Sequence, residues 1–277
     1  MKKTIFTGFS LFKIKTAENL QYRFAALSGA TVSIFWALIE VAVLSVFFIY
    51  GQNAGDRVNG MTLSQGVKYI WIAQFLFGLS ATGVDGELLN KIVNGDVGVE
   101  LCRPLDLYWH WFAGTAAGKA GAVGLRGTFT VVCGAAIKLA GFGAGLGPPH
   151  SALHFILFLI SILNAFLFGA AYGMFLTSVR MNVAWGDGPI NLITVTGMVL
   201  SGGYFPLQLW PDFLQTFLRL QPFAGYLDTP ARLYAGTVAA DGAAPAIILQ
   251  IAWTAVFIIL GKTIMDRKLK RVVVQGG

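Results

Sequence analysis

Long apolar stretches separated by short polar ones run from residue 24 almost to the end of the chain. A helix needs roughly 20 mostly apolar residues to cross a hydrocarbon core. Six stretches approach that length: 24–50, 67–84, 109–140, 152–179, 189–204 and 244–265. The first holds Glu40 as its only charge, the third is rich in Gly and Ala and carries Lys119 and Arg126, and the fifth is short, stopping at Phe205-Pro206. The pattern predicts an all-α integral membrane protein with six transmembrane helices in a single domain, 1–277. Two further segments have apolar patterning without spanning length. Residues 1–23 set Ile5, Phe9, Phe12 and Leu20 against Lys13, Lys15 and Glu18, which predicts an amphipathic helix lying on the membrane surface; the alternative is an ordinary polar leader into the first span. Residues 205–236 contain Pro206, Pro211, Pro222 and Pro230, yet Leu207, Leu209, Trp210, Phe213, Leu214, Phe217 and Leu218 make them too apolar for an aqueous loop. Short helices dipping into the outer leaflet, each ended by a proline, would bury them.

Composition supports the same class. Only 12% of the 277 residues are charged and 56% are hydrophobic, against about 25% charged in an average soluble domain. That excludes a typical water-soluble enzyme and a disordered chain. The net charge of +7 is not a nucleic-acid footprint, because the basic residues flank the apolar stretches. With the N-terminus inside, the cytoplasmic flanks hold Lys2, Lys3, Lys13, Lys15, Arg23, Lys91, Arg103, Arg180, Lys262, Arg267, Lys268, Lys270 and Arg271. The opposite side holds Arg57, Lys68, Lys138, Arg219 and Arg232. By the positive-inside rule both termini are cytoplasmic, which agrees with an even number of spans.

Catalytic or cofactor chemistry finds little support. The string GFGAGLG at 141–147 lacks a preceding strand and a following Gly-Lys-Ser/Thr, so it reads as a turn between spans. No complete P-loop exists in the chain, and any nucleotide hydrolysis belongs to another polypeptide. His150 and His154 stand at i, i+4 but lack the Glu of a zinc-binding H-E-x-x-H helix; interfacial histidines explain them, and no metal site is expected. Cys102 and Cys133 match no disulfide or metal spacing. Glycines 114, 118, 121, 124 and 127 form a ladder in the third span, predicting close helix packing. Lys119 and Arg126, seven residues apart, fall on one helix face near mid-membrane. Intramembrane charges are costly and usually find a partner. Counting helical rise from the cytoplasmic ends places Glu40 and Arg126 both roughly 25 Å up, so the two can pair. A structural staple and a polar lining of a translocation path are both compatible with that geometry.

The stretch between the second and third spans reads NGDVGVELCRPLDLYWHW. With Gly95, Leu101, Arg103, Pro104 and Leu105 it resembles the type-two ABC exporter permeases, specifically a subfamily with a Gly and a Leu-x-Arg-Pro-Leu signature here. Tyr22-Arg23 and the block from Ser201 to Gly236, with Pro206, Pro211, Pro222-Phe223 and Pro230, are similar to the family as well. The resemblance covers the chain from about residue 10 to 275. It implies a permease subunit without an ATPase of its own and with no cofactor on this chain. Cytoplasmic ABC ATPase subunits would bind ATP and Mg, a second permease copy or a sister permease would complete the pair, and the complex would sit in the bacterial cytoplasmic (inner) membrane. Residues 1–23 would be the connecting helix and 205–236 the re-entrant outer segment. The loop 85–106 would hold a coupling helix, with Gly95, Asp96, Glu100, Leu101, Arg103 and Pro104 as coupling positions. Its charges Glu87, Lys91, Asp96, Glu100 and Asp106 would offer contacts to the ATPase. The substrate would be hydrophobic or amphipathic and moved outward. Two other readings stand beside this one. One is an ATP-independent secondary transporter or channel using Glu40, Lys119 and Arg126, which the missing internal repeat disfavours. The other is a lipid-acting membrane enzyme with a histidine base, which the scattered polar residues disfavour.

Overall fold

The computed structural model describes residues 23–50, 57–79, 84–102, 105–182 and 188–270. The expected surface helix over 1–23 lies outside these residues, apart from its last one, and so do Arg103 and Pro104. All regular secondary structure among the described residues is helical. In chain order the α-helices are α1 (Arg23–Tyr50), α2 (Leu63–Leu76), α3 (Gly86–Asn94), α4 (Val97–Leu101), α5 (Leu107–Ala122), α6 (Thr128–Leu139), α7 (Ala152–Asn182), α8 (Gly188–Leu200), α9 (Asp212–Leu220), α10 (Asp228–Ala235) and α11 (Ala240–Leu269). A π-turn, Val123–Gly127, joins α5 to α6 into one continuous rod.

Among the described residues, four helices have the length and hydropathy to cross a membrane: Leu27–Tyr50 within α1, Leu107–Leu139, α7 and α11. The stretches expected as second and fifth spans form shorter helices. α2 has 14 residues and continues as a 3-10 turn, Phe77–Leu79, and α8 has 13. α2 is the central element, with Val67, Tyr69, Ile70, Trp71, Ile72, Ala73 and Leu76 all buried. A helix buried over most of its surface lies inside a bundle. Its start is set by a capping box: Thr62 Oγ1 accepts from the Gln65 N–H at 3.2 Å, and Gln65 Oε1 accepts from the Thr62 N–H at 2.9 Å. By contrast α1 buries one stripe, Ala30, Ser33, Ala37, Val41, Leu44 and Phe48, and exposes Val32, Phe35, Trp36, Val43 and Val46. That split is what a helix at the margin of a bundle shows.

Prolines open the short helical turns of 205–236 instead of ending them. Pro206 precedes the 3-10 turn Leu207–Leu209, Pro211 precedes α9, Pro222 begins a 3-10 turn, and Pro230 is the third residue of α10. A proline's fixed φ suits a first turn, where its missing N–H would have had no intrahelical acceptor. The glycine ladder is also only partly a packing surface. A Cβ on Gly127 would lie 2.5 Å from the Phe75 ring, and one on Gly134 would lie 2.7 Å from the Trp71 ring. At Gly118 and Gly124 it would meet nothing within 4 Å. Gly127→Ala and Gly134→Ala should therefore each destabilise the protein by about 1–3 kcal/mol through overpacking, while Gly118→Ala and Gly124→Ala should not. Unfolding midpoints of the purified chain in mild detergent check the contrast.

Candidate functional site

Two helices of nine and five residues fill the end of the bundle between α2 and α5. Asp85 caps α3 by accepting from the N–H groups of Glu87 at 2.9 Å and Leu88 at 3.4 Å. Gly95 ends it in the left-handed conformation at φ +79°, which a glycine adopts without the Cβ penalty. Leu88, Val97, Leu107, Tyr108, Trp111, Met174 and Met265 form a small separate core beneath α3 and α4. Around it the charges bond to one another. Lys91 Nζ lies 2.9 Å from Glu87 Oε1 and 2.8 Å from Glu100 Oε1, and the Trp111 indole N–H donates to Glu100 Oε2 at 2.5 Å. Asp106 caps α5 through the Trp109 N–H and pairs with Lys262 of α11 at 2.8 Å. Burial opposes ionisation of Glu100, but the hydrogen bonds from Lys91 and Trp111 outweigh it and hold its carboxyl below the usual carboxylate range. Burial likewise opposes the charge on Lys91, and Glu100 and Glu87 outweigh that, holding its ammonium above the usual lysine range.

Glu100 and Asp106, expected to face a partner, are thus joined within the fold, Glu100 to α5 and Asp106 to α11. This end turns three apolar side chains outward, Val93 at 64% exposed, Val99 at 67% and Leu101 at 40%, among the exposed polar residues Asp85, Glu87, Asn90 and Asn94. Asp96, also exposed, precedes α4 without a side-chain cap bond. Trp111 carries the connection into α5, although in the sequence it is one more apolar residue of the span with no pattern to single it out.

Deeper in the bundle, the three intramembrane charges go to three different places. Glu40 accepts from Gln74 Nε2 at 3.0 Å. Arg126 donates to Ser33 Oγ from Nε at 2.8 Å and from Nη2 at 2.6 Å, and its Cζ lies 5.1 Å from the centre of the Phe77 ring. Lys119 Nζ donates to the Leu79 carbonyl at 2.7 Å, where the 3-10 turn ends. The structure does not join Glu40 to Arg126, and side-chain direction gives the reason. Helical side chains lean toward their own N-terminus. Arg126, with the longer side chain, reaches back along its rod to Ser33, two turns before Glu40. α2 runs the opposite way, so Gln74 leans toward Glu40. Lys119 and Arg126 do not share a face either. Arg126 lies within the π-turn, which adds a residue to the register and rotates the rest of the rod by about 100°.

At the far end, residues 201–239 fold back onto α2, α7 and α11. The Tyr69 hydroxyl lies 3.0 Å from Asp228 Oδ1 and 3.2 Å from the Gly202 carbonyl oxygen, and Arg232 is 3.5 Å from Asp228. Gln221 places its Oε1 on the Phe223 N–H at 2.7 Å while its Nε2 donates to the Leu200 and Leu218 carbonyls. Gln250 of α11 donates to the carbonyls of Ser161 and Gly225. Pro206 and Pro211 each precede a helical turn of this segment, and Phe223 packs against Tyr172 and Phe257. His154 bridges Ser151 Oγ at 2.8 Å and the Val238 carbonyl at 3.1 Å. A carbonyl only accepts, so Nε2 carries the hydrogen and both ring nitrogens serve the fold.

Four long apolar helices, one end of the bundle held by glutamines and the other by braced short helices, define a multi-pass membrane protein. The model of the family described as "ABC-2 family transporter protein" matches residues 36–276. The chain belongs to that family, and it is a permease subunit of an ABC transporter. Membership implies association with an ABC ATPase and assigns this chain the non-enzymatic membrane part. The match starts after Ser33, short of the wider resemblance that begins at about residue 10. Comparison with curated proteins gave no match.

Two measurements check the site. Stability losses from Glu40→Gln and Arg126→Gln should add to within about 0.5 kcal/mol, while Arg126→Gln and Ser33→Ala should be clearly non-additive; unfolding midpoints of the single and double variants decide it. The second concerns pH. Because the folded-state value of Glu100 is depressed, its contribution is complete above about pH 4.3 and is lost as pH falls through its lower folded value. Lys91, with a raised value, keeps its contribution up to about pH 10.4. The stability difference between wild type and Glu100→Gln should therefore be flat from about pH 5 to 9 and shrink below about pH 4.

Proposed function

We propose that this chain is one of two permeases in an ATP-driven exporter that moves a hydrophobic or amphipathic substrate outward across a bacterial cytoplasmic membrane. It pairs with a second copy or a sister permease above two ATPase subunits, which bind the ATP and Mg. In this reading α2 with its 3-10 turn and α8 are the second and fifth of six spans, both termini are cytoplasmic, and 201–239 re-enters the outer leaflet. α3 and α4 dock into the ATPase, with Gly95 and Asp96 shaping the turn between them and Leu101 on the contact face.

One observation carries the reading: Val93, Val99 and Leu101 stand exposed on two short helices whose Lys91 and Glu100 are tied inward. An apolar ridge on a rigid mount suits a cleft in a partner. Movement of the ridge would reach the spans by two routes, Glu100 to Trp111 in α5 and Asp106 to Lys262 in α11. ATP hydrolysis on the partner could then tilt those helices without a side chain of this chain taking part in the chemistry.

The test is purification in mild detergent with recovery of an ATPase whose hydrolysis depends on this chain. Val99→Glu and Leu101→Glu should each reduce the recovered ATPase by about tenfold or more, the effect of losing one central interface side chain. Membrane levels of the permease should stay unchanged. Undiminished recovery with both variants would place the docking face elsewhere, and recovery of no ATPase would defeat the exporter reading.

A further inference from the structure

We propose that Arg126 and Ser33 form a binding site for the anionic headgroup of an amphiphile, a phosphate or carboxylate carried on an alkyl chain. The inference deepens the exporter reading and rests on it for its transport meaning; the binding site itself stands on geometry alone.

Arg126 lies near the middle of the long rod Leu107–Leu139, too deep for its side chain to reach an aqueous surface. A guanidinium offers five N–H donors. Two of them, on Nε and Nη2, go to Ser33 Oγ. Three remain, one on Nη2 and both on Nη1. Ser33 is fully buried and receives two N–H bonds, so it orients the guanidinium from within the fold. Thr31 and Ser45 on the same helix turn their hydroxyls to the Leu27 and Val41 carbonyls four residues back. Ser33 makes no such bond among the described residues. Glu40, the one carboxylate in α1, is held by Gln74. Among the described residues the pair is therefore a cluster of unused donors with a full positive charge and no carboxylate against it.

The guanidinium is also held in place. Phe77 lies beneath it, and its methylenes pass Gly29, where a Cβ would make an ordinary contact at 3.5 Å from Arg126 Cδ. A fixed guanidinium plane with free Nη donors matches the two oxygens of a phosphate or carboxylate. The surroundings select the rest of the ligand. Val32, beside Ser33, is 52% exposed, and Phe129, one turn beyond Arg126 on its face, is 43% exposed. An alkyl chain laid along this margin covers both. A free inorganic anion would leave them bare and would have to reach mid-membrane without an apolar carrier.

The test uses the purified full chain in a maltoside detergent, with unfolding midpoint followed against dodecyl phosphate, dodecanoate, dodecanol and inorganic phosphate. Dodecyl phosphate and dodecanoate should raise the midpoint saturably, and the other two should not. Arg126→Gln should weaken the apparent affinity by about tenfold or more, as for loss of a charge-assisted hydrogen bond. Ser33→Ala should weaken it less, and Arg126→Lys should lie between wild type and Arg126→Gln. If Arg126→Gln does not fold, the lysine and Ser33→Ala variants carry the comparison. Equal stabilisation by dodecanol would overturn the headgroup site, equal stabilisation by inorganic phosphate would overturn the amphiphile, and unchanged affinity in the variants would place the site elsewhere. Arg126-dependent binding in a chain that recovers no ATPase would defeat the exporter reading alone. An ATPase-coupled chain with Arg126-independent binding would defeat this inference alone.

Discussion

In apolar surroundings every backbone N–H and carbonyl must find a partner within the protein. α1, α7, α11 and the α5–α6 rod meet that demand through their own helical bonds. The irregular stretches cannot. Four glutamines make up most of the difference. Gln65 takes the Gly236 carbonyl, Gln215 takes those of Leu207, Gln208 and Trp210, Gln221 takes Leu200 and Leu218, and Gln250 takes Ser161 and Gly225. An amide carries donors and acceptor without a net charge, so it can serve carbonyls in a dry site without the cost of burying an ion. Aromatic donors and a lysine add to the pattern: the Tyr234 hydroxyl on Gly147, the Tyr69 hydroxyl on Gly202, the Trp71 indole on Ala144, the Trp253 indole on Leu220, and Lys119 on Leu79.

The same demand makes the two ends of the bundle mechanically different. Residues 201–239 are joined to α2, α7 and α11 through buried bonds, so this end moves only if several helices move with it. The α3–α4 end is held by a few bonds among partly exposed charges, above a small core of its own. Exposed ion pairs are individually weak, but the Glu100–Trp111 contact anchors one of them to a buried ring. A mount of this kind can shift as a unit while its two attachments to α5 and α11 persist. Those attachments lead to the rod that carries Arg126 and to the helix that carries Gln250, so both ends are in reach of a displacement that starts at α4.

Much of this is legible in the sequence because the strongest signals are long-range averages. Low charge, long apolar stretches and the positions of four spanning helices follow from composition and hydropathy, and their observed limits differ from the expected ones by a few residues. The family follows from Gly95, Leu101 and the Arg-Pro-Leu that comes after, together with the order of the prolines. Local geometry is less legible. The prolines of 205–236 mark beginnings, since the rule that a proline ends the element before it says nothing about the one it starts. The ladder of glycines splits at Gly124 and Gly127 because burial depends on which helix lies opposite. The helix of the second expected span starts four residues before the apolar stretch does, because the signal that sets its start, Thr62 with Gln65, is polar and lies outside any apolar window.

The charges show the sharpest limit of depth counting. Counting rise places Glu40 and Arg126 at similar heights, yet Arg126 bonds Ser33, seven residues before Glu40, and Glu40 bonds Gln74. An antiparallel neighbour leans toward its opposite number, and the residue that α2 offers there is Gln74. Pairing Glu40 with Gln74 gives the carboxylate a neutral donor. It also leaves the arginine without a neutralising partner among the described residues. A bundle that needed only stability would gain by joining the two, since a charge buried without its counter-ion is the expensive arrangement. Keeping them apart, with the guanidinium on Ser33 and against Phe77, is the geometry on which the proposed anion site rests.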